Sequence, residues 1–428
     1  MCQCIKPISI SLSPNVQRDD FFMALKILLT QVLLSRAAPK SNSSTKDLEK
    51  KFKEYLGLKY AFTFNSGRSC LYAILKTLDI KQGDEVFVQA FTCNAVPNPV
   101  LWAGGRPVYV DIDDSLNIDP EDLIKKISLR KSQGKNLRAI IIQNTFGIPA
   151  QIDKILEIAK KHNLIVIEDC AHALGAEYSG KKLGTFGDIA FFSFGRDKVI
   201  SSVWGGVVAT NSDEMAAKMQ KIYAGIPHPK KSWVVKQLTH PILFSIIIPT
   251  YYIFGKYFLG FLRVARGIGL AVSQQERRGE KPDIFPAKMP DALAKIALHQ
   301  FTKLEKYNEH RRRISKLYFL HFAKLPYVGF PSSHIELPKR SEGAVYLRFN
   351  IRATNAKEIL KKAKRRHILL GDWYKNVIDP LGTDFEKLGY APESCPRAEK
   401  AAKESINLPT HINISEKSAI AIVKFLQK

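Results

Sequence analysis

The chain lacks the cysteine pairs that mark disulfide or zinc frameworks. Its six cysteines are spread over 428 residues without a Cys-x-x-Cys pair, which in a long chain indicates reduced thiols and predicts a cytoplasmic location. The first residues, MCQCIKPISISLSP, also lack the charged-then-apolar pattern of a secretory signal. We interpret Cys2 and Cys4 as part of a frayed tail, with lipidation or metal binding as the alternatives.

Acidic residues are scarce relative to basic ones. There are 40 Asp and Glu residues against 65 Lys and Arg residues, which gives a net charge of +25. Such a charge favours polyanionic neighbours such as nucleic acid, anionic lipid or phosphorylated substrates. No nucleic-acid-binding motif accompanies it, so a nucleic-acid partner is not predicted. The 45% hydrophobic content is sufficient for a large core in two or three domains.

The most informative stretch runs from residue 164 to residue 206. An apolar strand, LIVIED, ends on Asp169, and a second apolar run, IAFFSF, is followed shortly by Lys198. Strands of α/β folds aim side chains into a shared cleft at their carboxyl ends. A buried lysine can attack a carbonyl, and a buried acid can hold a proton on a ring nitrogen, as pyridoxal phosphate chemistry requires. The alternative is an ordinary strand-end acid and a solvated loop lysine.

Four motifs in this stretch resemble those of the DegT/StrS-type nucleotide-sugar aminotransferases, which are fold-type I pyridoxal phosphate enzymes. They are VIEDCAHA at 166–173, Gly187-Asp188, Ser193-Phe194 with Lys198, and Gly205-Gly206. Segments 81–123, 285–313 and 395–415 also follow the family pattern. The resemblance therefore covers most of the chain.

The resemblance implies roles for individual residues. Lys198 matches the catalytic lysine that binds the cofactor covalently and moves a proton during transfer. Asp169 matches the acid that pairs with the pyridinium nitrogen, and Ser193 matches a serine that contacts the phosphate. His172 stands where many members have glutamine near the phenolic oxygen, although a structural histidine is the alternative.

A phosphate seat is predicted where strand YAFTF (60–64) leads into a helix, because free amides and the helix dipole favour an anion there. The resemblance places the cofactor phosphate at Gly67, Arg68 and Ser69. Arg68 could bind this phosphate or face phosphates of the substrate.

Three departures from the family pattern affect the expected site. Cys93 replaces the aromatic residue that stacks on the cofactor ring, and Phe91, two residues earlier in an extended segment, could cover the ring instead. Val203-Trp204 replaces the usual Gly-Glu, which we interpret as a change on the substrate side. Phe285 or Pro286 replaces an asparagine that reaches the partner subunit in many members.

An apolar and basic segment at 233–272 has no counterpart in the family pattern. Pro249, Lys256 and Arg263 interrupt it, so it falls short of the roughly 20 uninterrupted apolar residues of a membrane span. Aromatic and aliphatic residues interleaved with basic ones favour helices that lie on an anionic membrane surface. The alternative is a helical hairpin that packs on the enzyme or across a dimer interface.

The alternation of strands and helices over residues 60–210 predicts an α/β fold with a mostly parallel central sheet. We expect a large cofactor domain at 1–221 with an N-terminal helical arm, a helical insertion at 222–284 and a smaller α+β domain at 285–428. Ser44, Thr45 or Asp47 is the predicted N-cap of the helix LEKKFKEYLG.

The sequence therefore predicts a pyridoxal 5'-phosphate-dependent aminotransferase without a metal site. Its expected substrates are a nucleotide-linked keto sugar and an amino acid donor such as glutamate, in surface glycan or amino-sugar biosynthesis. The resemblance also implies a homodimer. Two alternatives remain open: a pyridoxal phosphate sugar dehydratase or eliminase, and a non-catalytic, membrane-associated member of the fold. Lys198 favours transamination, because the dehydratase branch carries histidine at this position.

Overall fold

The computed structural model describes residues 7–33, 43–265, 267–323 and 335–427. Cys2 and Cys4 lie outside this part of the chain. The elements of the first half, in chain order, are β1 (Ile8–Ser9), α1 (Arg18–Ile27), α2 (Ser43–Leu56), β2 (Tyr60–Phe64), α3 (Gly67–Thr77), β3 (Asp84–Gln89), β4 (Thr92–Cys93), α4 (Pro97–Ala103), β5 (Arg106–Val110), α5 (Pro120–Ser132), β6 (Asn136–Gln143), α6 (Ile152–Lys161), β7 (Ile165–Asp169), β8 (Glu177–Tyr178), β9 (Lys181–Lys182), β10 (Ile189–Ser193) and β11 (Gly206–Thr210).

The second half is mainly helical. Its elements are α7 (Asp213–Ala224), α8 (Lys231–Ile247), α9 (Lys256–Val264), α10 (Gln274–Arg277), α11 (Asp291–Phe301), α12 (Leu304–Ala323), β12 (Arg348–Arg352), α13 (Ala356–Arg365), β13 (Ile368–Leu369), β14 (Ile378–Asp379), α14 (Pro396–Glu404), β15 (Ser405–Pro409) and α15 (Glu416–Leu426). Short π-helical turns follow α1 (Leu28–Leu33) and precede α9 (Tyr251–Gly255).

A seven-stranded sheet organises the large domain, with strand order β2-β11-β10-β7-β6-β3-β5. All neighbours are parallel except those of β11, which runs antiparallel to both β10 and β2. This confirms the predicted mostly parallel sheet. Strand β6 shows why both faces are covered: Ile140 and Ile142 enter one hydrophobic cluster, whereas Ala139 and Ile141 enter another. Consecutive apolar residues along a strand, as at 139–142, are typical of a sheet buried between two layers of helices.

The start of helix α2 differs from the prediction. The helix already includes Ser43, so Ser44, Thr45 and Asp47 lie within it and none is its N-cap. Ser44 is instead tied to α11, because its amide and its hydroxyl both donate to the Asp291 carboxylate, at 2.8 and 3.3 Å. Ser44 therefore has a tertiary hydrogen-bond partner inside α2 and does not cap it.

A second, smaller core lies in the C-terminal part of the chain. Strands β12 and β15 pair antiparallel, and their inward side chains pack with α12, α13 and α15. The N-terminal strand β1 pairs with β13 of this part, and His411 Nε2 lies 2.7 Å from the Ser9 carbonyl oxygen. The first described residues therefore lie against the C-terminal layer.

The apolar, basic segment forms helices α8 and α9. Among the described residues no single helix is long and apolar enough to cross a membrane, although α8 and the stretch Tyr251–Val264 pass such a test together with a bend of 107° between them. Both helices contribute to a small separate cluster around Phe244, Ile247 and Leu259.

Gly206 permits the close approach of helix α3 to strand β11. A Cβ at this position would lie 2.7 Å from both Cys70 Sγ and the Phe192 carbonyl oxygen. We predict that Gly206→Ala lowers the free energy of unfolding by about 1–3 kcal/mol, because the added methyl group overpacks a closed interior. Chemical denaturation measures this. Gly260→Ala is the control, since a Cβ there meets nothing within 4 Å, and equal destabilisation of the two variants would contradict the packing argument.

Candidate active site

A cavity of about 390 Å³ opens at the carboxyl edge of the large sheet. Its wall includes residues at or just beyond the ends of β6, β7 and β10, together with the start of α3. Because parallel strands end at the same edge, residues far apart in sequence meet here. The lining includes Ser66, Gly67, Arg68, Cys93, Asn144, Asp169, His172, Ser193, Lys198 and Arg348.

One side of the cavity is suited to a phosphate. Helix α3 begins at Gly67, and the Ser66 hydroxyl caps it by accepting from the Ser69 amide at 3.1 Å. The other first-turn amides have no intrahelical acceptor. The Ser193 hydroxyl is close by, since a Cβ on Gly67 would lie 3.3 Å from Ser193 Oγ. Amides at a helix start beside a hydroxyl form a small anion-binding cradle.

Lys198 and Asp169 have pKa values shifted in the directions that a buried amine and a buried acid are expected to show. Burial lowers the pKa of Lys198, with Asp197 acting in the opposite direction. Burial raises the pKa of Asp169 to about 6, although the Ala171 amide donates to its carboxylate at 2.9 Å and the Lys198 charge also opposes the shift. The two side chains therefore share one poorly solvated space, in which Lys198 loses its proton more easily than a solvated lysine does.

His172 and Asn144 provide hydrogen-bond donors to the same cavity. The Phe146 amide donates to His172 Nδ1 at 3.3 Å. Burial and the Lys198 charge hold the pKa of His172 well below its usual value, so a neutral ring with its proton on Nε2 follows. Asn144 accepts from the Ala150 amide at 3.1 Å, while its buried Nδ2 has no partner among the described residues.

Arg348 is a site residue that the sequence analysis missed. It lies at the start of β12, nearly fully buried, and forms an ion pair with Asp197. Its guanidinium lies over the Trp373 ring at 3.8 Å from the centroid. Burial opposes ionisation of Asp197, but the charges of Arg348 and Lys198 outweigh it and lower the pKa of Asp197. The available signal was an arginine between two apolar residues, Leu347 and Phe349, at the start of a strand, because buried arginines require a partner.

Two of the predicted site residues, Phe91 and Ser69, do not line the cavity. Phe91 is fully buried and does not line the cavity; it packs edge-on against Tyr374, with ring centroids 5.3 Å apart. Its φ of 59° breaks the extended geometry on which the prediction relied. Ser69 is also fully buried, and its hydroxyl donates to Asn65 at 2.5 Å. Of the assigned ring-side residues, Cys93 does line the cavity.

Arg68 lines the cavity, but its side chain is already paired with a carboxylate of the same chain. It forms an ion pair with buried Glu276 of α10, and its guanidinium lies 4.7 Å from the ring centroids of both Trp204 and Phe285. Those two rings stack at 5.9 Å. We call these four residues the Arg68 cluster. They include two of the three departures from the family pattern, Trp204 and Phe285, which the structure brings together at one corner of the cavity.

These groups fit a small aromatic phosphate that carries an aldehyde and a ring nitrogen. The cradle at Gly67 and Ser193 suits its phosphate, the Lys198 amine suits its aldehyde, and the Asp169 carboxylate suits a protonated ring nitrogen. Asn144 Nδ2 is a buried donor without an acceptor among the described residues, and an oxygen of a bound group could accept its hydrogen bond. Pyridoxal phosphate has all of these features.

Comparison with known proteins agrees with this fit. The profile of the DegT/DnrJ/EryC1/StrS aminotransferase family matches residues 26–241 and 261–427. A protein of Methanocaldococcus jannaschii is 30% identical over 394 residues, which cover 90% of this chain and 89% of that protein. The GDP-perosamine synthase of Caulobacter vibrioides is 28% identical over 395 residues, covering 89% of each chain.

Solved structures share the fold. Helicobacter pylori PseC, an aminotransferase involved in pseudoaminic acid biosynthesis, aligns with a TM-score of 0.71 at 22% identity, over 98% of each chain. The pyridoxal phosphate form of the putative sugar aminotransferase Spr1654 from Streptococcus pneumoniae aligns with a TM-score of 0.70 at 21% identity, over 98% of each chain. The protein is thus a fold-type I, pyridoxal phosphate-dependent aminotransferase. It belongs to the DegT/DnrJ/EryC1/StrS aminotransferase family.

The raised pKa of Asp169 predicts how the cofactor-free protein responds to pH. The folded pKa of about 6 exceeds the unfolded value of about 3.9, so the native state binds more protons between these values and stability falls as pH rises through them. We expect Asp169→Asn to remove this loss. The variant should exceed the wild type by up to about 3 kcal/mol above pH 7, and by little near pH 4.

Urea unfolding of both proteins from pH 4.5 to pH 8, without cofactor, measures this difference. Asp197→Asn is the matched control with the opposite sign. The pKa of Asp197 is lowered, so its charge stabilises the protein at neutral pH, and its removal leaves buried Arg348 unpaired. A lower stability of Asp169→Asn at pH 8 would contradict the assignment.

Proposed function

We propose that the protein transfers an amino group from glutamate to a nucleotide-linked keto sugar. The observation that carries the proposal is that Lys198, with a lowered pKa, shares one cavity with Asp169 and with the anion cradle at Gly67. Pyridoxal phosphate, when bound, supplies an electron-accepting ring that carries the amino group from donor to acceptor.

The side chains of this protein have distinct tasks in that reaction. The Gly67 amide and the Ser193 hydroxyl would hold the cofactor phosphate, and Asp169 would hold a proton at its ring nitrogen. His172 Nε2 and Asn144 Nδ2 would be the hydrogen-bond donors for its ring oxygen. Lys198 would hold its aldehyde and, once deprotonated, would accept and return the proton of the reacting carbon.

Two arginines support an acceptor that carries phosphates. Arg196 and Arg277 line the cavity, and neither forms an ion pair within the described part of the chain. By contrast, Arg68 and Arg348 are paired with Glu276 and Asp197. A diphosphate is a natural partner for two guanidinium groups that have no carboxylate partner among the described residues, because the remaining N–H groups can donate to phosphate oxygens even though Arg196 also donates to Gly269.

Relatives support the same class of acceptor. Besides the Caulobacter protein, GDP-perosamine synthases of Vibrio cholerae and Escherichia coli O157:H7 match at 36% over 187 residues and 40% over 164 residues. A spore coat polysaccharide biosynthesis protein of Bacillus subtilis matches at 28% over 287 residues. We therefore propose a role in amino-sugar or surface glycan biosynthesis.

The charge of the cavity supports an acidic amino donor. Its lining contains five basic side chains and three carboxylates. Glutamate brings a second carboxylate that a neutral amino acid lacks, and this favours it in a basic cavity. The basic side chains of the lining are Arg68, Arg196, Lys198, Arg277 and Arg348, and its carboxylates belong to Asp169, Asp197 and Asp379.

The proposal extends to assembly and location. We expect a homodimer in the cytoplasm, at the inner face of a membrane. The position whose family counterpart reaches the partner subunit is held within its own chain here, because Phe285 stacks on Trp204 and Lys288 bridges to β2. We therefore expect other contacts to hold the dimer. Light scattering, which gives the mass in solution, measures whether it forms.

The visible absorbance of the protein with pyridoxal phosphate tests the central assignment. We predict a cofactor band that changes on addition of glutamate, and that neither forms nor responds in Lys198→Ala. Lys218→Ala, on an exposed helix face, should behave as the wild type. A band that ignores glutamate would reject glutamate as donor and favour elimination, and no band at all would favour the non-catalytic alternative.

The two unpaired arginines give a prediction about the acceptor. Arg196→Gln and Arg277→Gln should each raise the KM for nucleotide-linked keto sugars about 10- to 100-fold, since each loses a charge-assisted contact. The response of the cofactor band to glutamate should not change. Steady-state kinetics with GDP-, UDP- and dTDP-linked keto sugars measures this. Arg278→Gln, next in sequence and exposed, is the control, and an unchanged KM in both site variants would contradict the diphosphate assignment.

A further inference from the structure

Helix α9 and the turn before it carry an exposed apolar stripe. Its members are between 49% and 86% exposed, and they are Ile253, Phe254, Tyr257, Phe261 and Val264. Spacings of three and four residues place most of them on one helix face. Large apolar side chains in such a row are rare on a surface that faces only water.

The opposite face of α9 is also apolar. Leu259 is buried against Phe244 and Ile247 of α8, and Phe258 and Leu262 pack at the margin of the same cluster. This contact fixes which side of the helix faces outward. A helix that is apolar on both sides requires a second apolar environment beyond the protein that it already covers.

The charge of the segment indicates what that environment is. Residues 226–275 contain six Lys and Arg residues and no Asp or Glu. Lys256 and Arg263 are exposed within the stripe. A second copy of the same surface would bring like charges together in a symmetric contact. An anionic partner with an apolar interior satisfies both the charge and the stripe.

We propose that this surface binds an anionic lipid bilayer, with α9 lying in the plane of the membrane. Its apolar stripe would enter the boundary between headgroups and acyl chains, and its basic side chains would contact lipid phosphates. The 107° bend between α8 and the following helical stretch presents α9 at an angle to α8. This inference does not depend on the proposed reaction.

The same segment is fixed to the active site. Arg196 donates to the Gly269 carbonyl oxygen at 2.7 Å, and Glu276 of α10 holds Arg68. Between them, Leu270 lines the cavity while remaining 66% exposed. The bilayer would therefore lie beside the cavity, so that sugar acceptors and products at the membrane surface would be within reach of the site.

Co-sedimentation of the cofactor-loaded protein with vesicles tests the proposal. We expect binding to vesicles of phosphatidylcholine with phosphatidylglycerol, and little binding to phosphatidylcholine alone. A double variant, Tyr257→Glu with Phe261→Glu, should bind at least about tenfold less, because it loses apolar contacts and gains negative charge. Lys256→Glu should bind at least roughly fivefold less, from the contribution of each basic residue near an anionic surface.

Matched controls distinguish binding through this surface from an effect of net charge alone. Leu129→Glu replaces an exposed leucine on α5, and Lys357→Glu changes the net charge as Lys256→Glu does; both should bind as the wild type. An intact cofactor band in every variant shows that the fold and site persist. Wild-type protein that stays in the soluble fraction would overturn the proposal. So would stripe variants that bind normally, or that lower the mass of the oligomer without changing vesicle binding, since the surface would then join two copies.

Discussion

The common edge at which the parallel strands end is the constraint on which the rest of this structure depends. Strands β6, β7 and β10 run in the same direction, so Asn144, Asp169 and Ser193 arrive at one edge although they are separated in sequence. The antiparallel strand β11 starts at this edge with Gly206, whose missing side chain lets α3 approach. The anion cradle at Gly67 follows from that approach.

Charges gathered at this edge are poorly solvated, and this sets their chemistry. Burial lowers the pKa of Lys198 and raises the pKa of Asp169, while the charges of Arg348 and Lys198 lower the pKa of Asp197. Acid and base properties therefore diverge between side chains that share one cavity, as expected where groups act in proton transfer.

Two of the three departures from the family pattern, Trp204 and Phe285, meet Arg68 at one corner of the cavity. Arg68, Trp204 and Phe285 lie in three separate segments, yet they pack together around Glu276 of α10. The chain returns to the site through this cluster after helices α8 and α9. The ion pair between Arg68 and Glu276 thereby ties the chain that follows α9 to the site.

The sequence by itself determined the family, the mostly parallel α/β fold, the cofactor and the likeness of Lys198, Asp169 and Ser193 to known site residues, because these reside in local motifs and in strand periodicity. Only the tertiary structure decided the rest. Phe91 has a positive φ and its ring does not line the cavity, and the Ser69 hydroxyl donates to Asn65, which precedes α3. Arg348 lines the cavity although it lies on β12, far from the other site residues in sequence. Backbone reversals and long-range pairing depend on the whole packed chain, and no local pattern encodes them.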